Sequence, residues 1–153
     1  MISQTVDYAM RAVVCLAHHM PVAQTTDQIA SMTKVPRAYL AKVLQSLSRA
    51  GIVSTQRGIG GGISLLKDTT ELTMLEILNA VDPLERITSC PLKLQTHGFR
   101  LCALHRRLDD ALAAIEKSFR ETTLHDILTE PAPVTPLCEM PHVLKVKRQK
   151  QLV

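Results

Sequence analysis

The stretch Gln56-Arg57-Gly58-Ile59-Gly60-Gly61-Gly62-Ile63 gathers four of the six glycines of a 153-residue chain. Backbone this poor in side chains has few uses: it cradles the phosphates of a nucleotide, or it makes a turn that side chains would obstruct. The flanking residues discriminate. Ile52-Val53-Ser54-Thr55-Gln56 is rich in β-branched residues and Ile63-Ser64-Leu65-Leu66 is a second short apolar run, so the order predicts strand, glycine turn, strand. A dinucleotide fingerprint requires a helix directly after its glycines, and Ile63-Ser64-Leu65 reads as strand, although Asp82 stands where the acidic residue of that fingerprint belongs. A Walker loop requires Gly-Lys-Ser/Thr, and no lysine follows Gly62. A nucleotide-dependent enzyme is therefore the weakest reading, and no nucleophile and base, or pair of carboxylates, at useful spacing supports other catalysis.

What precedes the hairpin gives it a purpose. Val6, Ala9, Met10, Val13, Val14, Leu16 and Ala17 share one face of a helix over 4–19. Thr25-Thr26-Asp27-Gln28 reads as a capping box opening a short second helix through Ile29, Ala30 and Met32. Pro36 suits the first position of a third helix, in which Tyr39, Leu40, Val43, Leu44 and Leu47 step by three and four until Gly51 stops it. Arg37, Lys42, Gln45 and Arg49 lie on or near its polar side. Two short helices, the second supplied with basic and amide side chains, match a helix-turn-helix, and the hairpin behind it is then a wing. On a wing, glycines let the backbone approach phosphates and let Arg57 enter the minor groove.

Thr73-Met74-Leu75-Glu76 is another capping box, opening a helix through Ile77, Leu78 and Val81 that Pro83 ends. Residues 84–98 show no period. From Phe99, Leu101, Leu104, Leu108, Ala111, Ile115 and Phe119 form an apolar seam over about five turns, which folds back on its own core or pairs with a symmetry mate. Thr123 begins a last short helix, and Pro131, Pro133, Pro136 and Pro141, then basic residues 145–150, read as a tail. The expected organisation is a winged helix-turn-helix domain over 1–83, a loop over 84–98 and a long helix with its short follower over 99–128, to which the family resemblance given below assigns sensing and dimerisation respectively, and a tail over 129–153. The fold class is mainly α with a small β-hairpin.

The net charge of +4 suits nucleic acid without requiring it. Asp7 and Arg11 interrupt the N-terminal residues, so no secretion signal is expected there; no apolar run reaches the ~20 residues of a membrane span, and a cytoplasmic location is expected. In that reducing setting Cys15, Cys90, Cys102 and Cys138 are expected as thiols, metal ligands or redox sensors rather than as a disulfide framework. An aromatic content of 3% leaves few stacking platforms for single strands.

Asp7-Tyr8-Ala9-Met10-Arg11-Ala12, residues 35–44 (VPRAYLAKVL), Ala50-Gly51-Ile52-Val53 and Arg57-Gly58-Ile59-Gly60-Gly61-Gly62 together resemble the Rrf-two family of bacterial transcription regulators, over roughly residues 1–120. The resemblance implies a winged-helix homodimer binding double-stranded operator DNA. It places the third helix in the major groove, Arg57 in the minor groove, with Gly58 and Gly60 clearing its approach, and the long helix at the dimer interface. Arg37, Lys42 and Gln45 are candidates for base edges, and Tyr39 for a phosphate contact or, equally, for packing beneath the helix-turn-helix. Arg49, at the helix end, favours the C-terminal dipole.

Some relatives hold an iron-sulfur cluster between the winged domain and the dimer helix, usually through three cysteines. This chain offers Cys90 and Cys102, with His105 one turn beyond Cys102, but Thr96 and His97 occupy the interval of the middle cysteine. His97 or His105, and Asp7 from the other subunit, are candidates to complete a two- or four-iron cluster; Arg11 stands where one two-cysteine relative has a ligand. The reading is a repressor whose operator binding is modulated by an iron-sulfur cluster or by a redox or nitric-oxide signal. The alternative is a cluster-free regulator using a thiol switch, a small ligand or a protein partner. Cys15 is expected as a buried small apolar residue, Cys138 with His142 as part of an ordinary tail, and His18-His19 as C-terminal capping residues of the first helix.

Overall fold

The computed structural model describes residues 2–90 and 100–131. Its elements run α1 (Gln4–His19), α2 (Thr26–Thr33), α3 (Arg37–Arg49), β1 (Val53–Gln56), β2 (Gly62–Leu65), α4 (Met74–Val81), α5 (Ala103–Glu121) and α6 (Leu124–Thr129). The fold is thus mainly helical with one antiparallel hairpin, as the patterning implies.

The first helix is the centre of the packing. Ser3 caps it by accepting from the Val6 amide, Asp7 in its first turn complements the dipole, and eight of its 16 residues are buried. Ile29 of α2, Leu40, Val43 and Leu47 of α3, Ile63 of β2 and Ile77 of α4 join the same core. Both capping boxes form, Thr25 with Gln28 and Thr73 with Glu76. Thr123 with Asp126 makes a third, at the start of α6. Pro36 takes the N-cap of α3 rather than its first position, and its carbonyl accepts from the amides of Tyr39 and Leu40 at 3.0 Å. Its missing N–H leaves nothing unsatisfied at either place.

In the hairpin Val53 faces Leu65 and Gln56 faces Gly62. A two-stranded ribbon is marginal on its own. Here Gln24 and Ile63 exchange both backbone hydrogen bonds, at 2.9 and 2.8 Å, so a single-residue bridge from the connection between α1 and α2 ties β2 to the core.

The core also takes in residues far along the chain. Leu124 is fully buried, with Phe119, Ile127 and Leu128 packed around the same cluster. The corner between α5 and α6 is pinned by backbone bonds from Met74 to the Thr122 carbonyl (2.9 Å) and from Leu124 to the Leu72 carbonyl (2.8 Å). Upstream, α5 begins at Ala103, with Cys102 in extended conformation at its N-cap, so Leu101 precedes the helix; Phe99, the expected start, lies outside the described residues. The basic segment 145–150 of the tail lies outside them too.

His19 fulfils its capping expectation, its Nδ1 lying 2.8 Å from the Cys15 carbonyl, but His18 differs. Its Nε2 is buried and meets no hydrogen-bond partner among the described residues. Burial, with the charge of His19 second, holds its pKa below the ordinary 6.5. The unfolded chain therefore takes up that proton first. The contribution of His18 to stability is complete above about pH 6.5 and declines as pH falls through the folded-state value. The urea midpoint is expected to drop between about pH 7 and pH 5, and to drop less in His18→Gln. Leu124→Ala is expected to cost about 2–5 kcal/mol in the same titration, since it empties a fully packed site.

Candidate nucleic-acid interface

A left-handed Lys34 (φ 57°) turns the chain sharply from α2 into α3. With Leu40, Val43, Leu44 and Leu47 buried, the 3.6-residue period sends Ala38, Ala41, Lys42, Gln45 and Arg49 outward along one stripe. That stripe carries no acid. Its small alanines allow close approach, and its basic and amide groups suit phosphates and base edges.

Of the four candidate residues on this helix, Lys42 and Gln45 are exposed. Arg37 is exposed but engaged: its guanidinium is ion-paired with Asp27, in the first turn of α2. Tyr39 takes the packing role while staying largely open. It is 60% exposed, yet its ring lies 6.4 Å from that of Tyr8 at a 58° tilt. Tyr8 in turn lies under the Arg11 guanidinium, 6.0 Å from the ring centroid. Arg11 bonds Asp7 at 2.7 Å and reaches the Thr33 carbonyl at the end of α2 at 3.4 Å. The outer face of α1 thus steadies both helices of the helix-turn-helix. Neither Tyr8 nor Asp27 was legible as a site residue, because each matters through a neighbour distant in sequence.

The wing follows directly. Gly51 (φ 70°) ends α3, its amide bonding the Ser48 carbonyl while Ile52 bonds that of Leu47, so the strands leave from the end of the helix. Arg57, Gly58, Ile59 and Gly60 are all exposed. A Cβ on Gly61 would fall on the Gln56 carbonyl oxygen, so this glycine is a steric requirement of the loop.

The proposed ligand residues are only partly gathered. Cys102 Sγ and His105 Nδ1 lie 3.2 Å apart at the start of α5, both half-buried. Cys90 is buried, at the end of a segment strapped to α5: Arg86 forks onto Asp109 at 2.6 and 2.7 Å, reaches Glu116 at 3.2 Å, and the Ile87 amide adds a bond to Asp109. This pairing holds the Asp109 carboxyl below the usual range and raises Arg86. Asp7 is engaged by Arg11. His97, Cys138 and His142 lie outside the described residues. Among the described residues no three His, Cys, Asp or Glu side chains converge as a metal site. Cys15 is fully buried in α1, as an apolar-like residue would be. No helix among the described residues is long and apolar enough to cross a membrane.

Comparison with known proteins agrees with this arrangement. A family model, Rrf2, described as an iron-dependent transcriptional regulator, matches residues 2–130. A protein of Aquifex aeolicus, named as an HTH-type transcriptional regulator, is 30% identical over 129 residues, covering 82% of this chain and 90% of its own. A Rhodobacter capsulatus protein, named as an rrf2-like HTH-type transcriptional regulator, is 30% identical over 155 residues, covering 91% and 99%. Among solved structures, IscR of T. potens superposes with a TM-score of 0.68 at 21% identity, over 84% of this chain and 85% of that one. CymR, the global cysteine regulator of B. subtilis, gives 0.70 at 21% identity, over 86% and 98%. The chain belongs to the Rrf2 family: it is a DNA-binding transcriptional regulator, not an enzyme.

Proposed function

We propose that the protein is a cytoplasmic, homodimeric repressor that reads double-stranded operator DNA with α3 and the wing. The observation that carries the reading is the acid-free exposed stripe of α3 running straight into an exposed arginine on a glycine turn. Lys42 and Gln45 address base edges. Arg37 joins them by exchanging Asp27 for DNA, and Tyr39, with the backbone near Pro36, fixes the helix on phosphates. Arg57 enters the minor groove, with Gly58 and Gly60 admitting the backbone.

The dimer rests on α5. None of its 19 residues is buried, and Leu104 and Leu108 are 64% and 48% exposed. Its C-terminal half is anchored through Phe119 and the Leu124 corner, while the apolar residues of its N-terminal half face outward. A second copy covering that face would place two recognition helices in successive major grooves.

Operator affinity in this reading responds to an iron-sulfur cluster, or to a redox or nitric-oxide signal, at the junction of the 84–98 segment with α5. Two soft thiolates, Cys90 and Cys102, and the imidazole of His105 suit iron-sulfur chemistry by type. A full ligand set needs further donors, and His97 and Asp7 of the second copy are the proposed ones. Asp7 must first leave Arg11, which would also loosen the hold of Arg11 on the Thr33 carbonyl and on Tyr8. A bound cluster would supply one-electron redox chemistry. The Cys102–His105 contact equally supports the second reading, a cluster-free thiol switch.

Anaerobically purified protein is expected to carry iron and sulfide, which Cys90→Ser and Cys102→Ser each remove. Iron-free protein that binds its operator fully, and whose response still disappears in both variants, would replace the cluster with thiol chemistry. Leu104→Glu with Leu108→Glu is expected to give a monomer in sedimentation equilibrium. On DNA, Arg57→Ala should weaken binding most at operators with A·T-rich flanks, and Lys42→Ala should shift base preference within the half-site by about 1–3 kcal/mol. Equal losses on every sequence would reduce both residues to phosphate contacts.

A further inference from the structure

Ile59 stands at the tip of the wing with a relative exposure of 111%, the highest among the exposed large apolar side chains of the described residues. The turn itself does not ask for it. The Gly61 amide bonds the Gly58 carbonyl at 2.9 Å, closing a four-residue turn with Ile59 second and Gly60, at φ 78°, third. This is the type II pattern, which demands glycine at the third position and nothing apolar at the second. Nor does Ile59 belong to the core cluster. Among the described residues nothing packs on this isoleucine, so an apolar contact there calls for a further surface.

We propose that Ile59 is an apolar wedge, entering the minor groove beside Arg57 and inserting between base pairs at a flexible pyrimidine–purine step, so that the stack opens and the duplex bends. The inference rests on the DNA-binding reading above and adds a contact to it. Three features of the tip fit a groove about 6 Å wide. Ile59 has a glycine on each side, so its side chain projects alone from a narrow loop. Its presentation is stiff: the turn is closed by a hydrogen bond, Gly61 admits no side chain, and a β-branched residue has little χ1 freedom to lose on insertion. The charge is right, since Arg57 is two residues away and no acid occurs from Gln56 to Leu66. A protein-docking surface would want further apolar side chains around an anchor, and this tip offers only arginine and glycine.

The test uses the full-length protein. Duplexes are selected from a randomised pool by the wild type, then labelled with 2-aminopurine at the step facing the wing. Wild-type binding is expected to raise the fluorescence of that base as its stacking is lost. Ile59→Ala should bind roughly tenfold more weakly, should not raise the fluorescence and should bend the duplex less, whereas Ile59→Leu keeps all three properties. Thermal unfolding should be the same in all forms, because the side chain is exposed in the free protein. Unchanged affinity and fluorescence with Ile59→Ala would overturn the wedge while leaving DNA binding intact. If regulation in cells were lost with DNA binding unchanged, Ile59 would belong to a protein contact and the wedge would fall. Failure of the wild type to select any sequence would instead overturn the DNA reading itself.

Discussion

The burial of α1 is the constraint on which the rest depends. A helix with half its residues in the core has little surface left, and what remains is used to orient the recognition unit. Its apolar side gathers α2, α3, α4 and β2 into one cluster. Its outer face presents Asp7, Tyr8 and Arg11, and through them touches the end of α2 and the first turn of α3. A shift of α1 would thus reach the recognition helix along two routes: the buried leucines and the aromatic and ionic contacts above them. Packed interiors transmit displacement because they contain little free volume.

The second organising feature is the way α5 is attached. It is held firmly near its C-terminal end, where Leu124 and two backbone bonds join the corner to α4, and along its flank by the Arg86 fork. The Arg86 fork lies shortly before Cys90, and Cys102 stands at the N-cap of α5. Both cysteines thus flank the passage from the winged unit into a helix whose N-terminal leucines, Leu104 and Leu108, are exposed. Surface ion pairs such as Arg86–Asp109 contribute little to stability as a rule, and this one is better understood as fixing geometry, since it is bidentate and also gathers the Ile87 amide.

Much of the fold is legible in the chain because the signals are local. Thr25 and Gln28, or Thr73 and Glu76, announce helix starts by reciprocal hydrogen bonds that need no tertiary partner. The core positions of α3 follow from spacing, and the hairpin follows from β-branched residues on either side of glycine. The candidate site was legible to a lesser degree. Lys42, Gln45 and Arg57 emerge exposed, as their positions imply, but the pairing of Arg37 with Asp27 and the seating of Tyr39 on Tyr8 join residues from different helices. That His18 Nε2 meets no partner among the described residues was equally invisible, for its neighbour His19 has the same side chain and finds a carbonyl.

The sequence by itself determined most helices and the capping boxes, the winged helix-turn-helix order and the outward positions of Lys42, Gln45 and Arg57, because each is set by periodicity or by backbone chemistry within a few positions. Only the tertiary structure decided that α6 closes the core through Leu124, that Gln24 bridges to Ile63 of the wing, and that Asp7 is already occupied by Arg11. The glycine turn shows both sides of this division. Its glycines were readable as a turn, whereas the exposure of Ile59 at the tip depended on how the other described residues pack. Contacts between distant segments, and their absence, are properties of three-dimensional packing that no local pattern encodes.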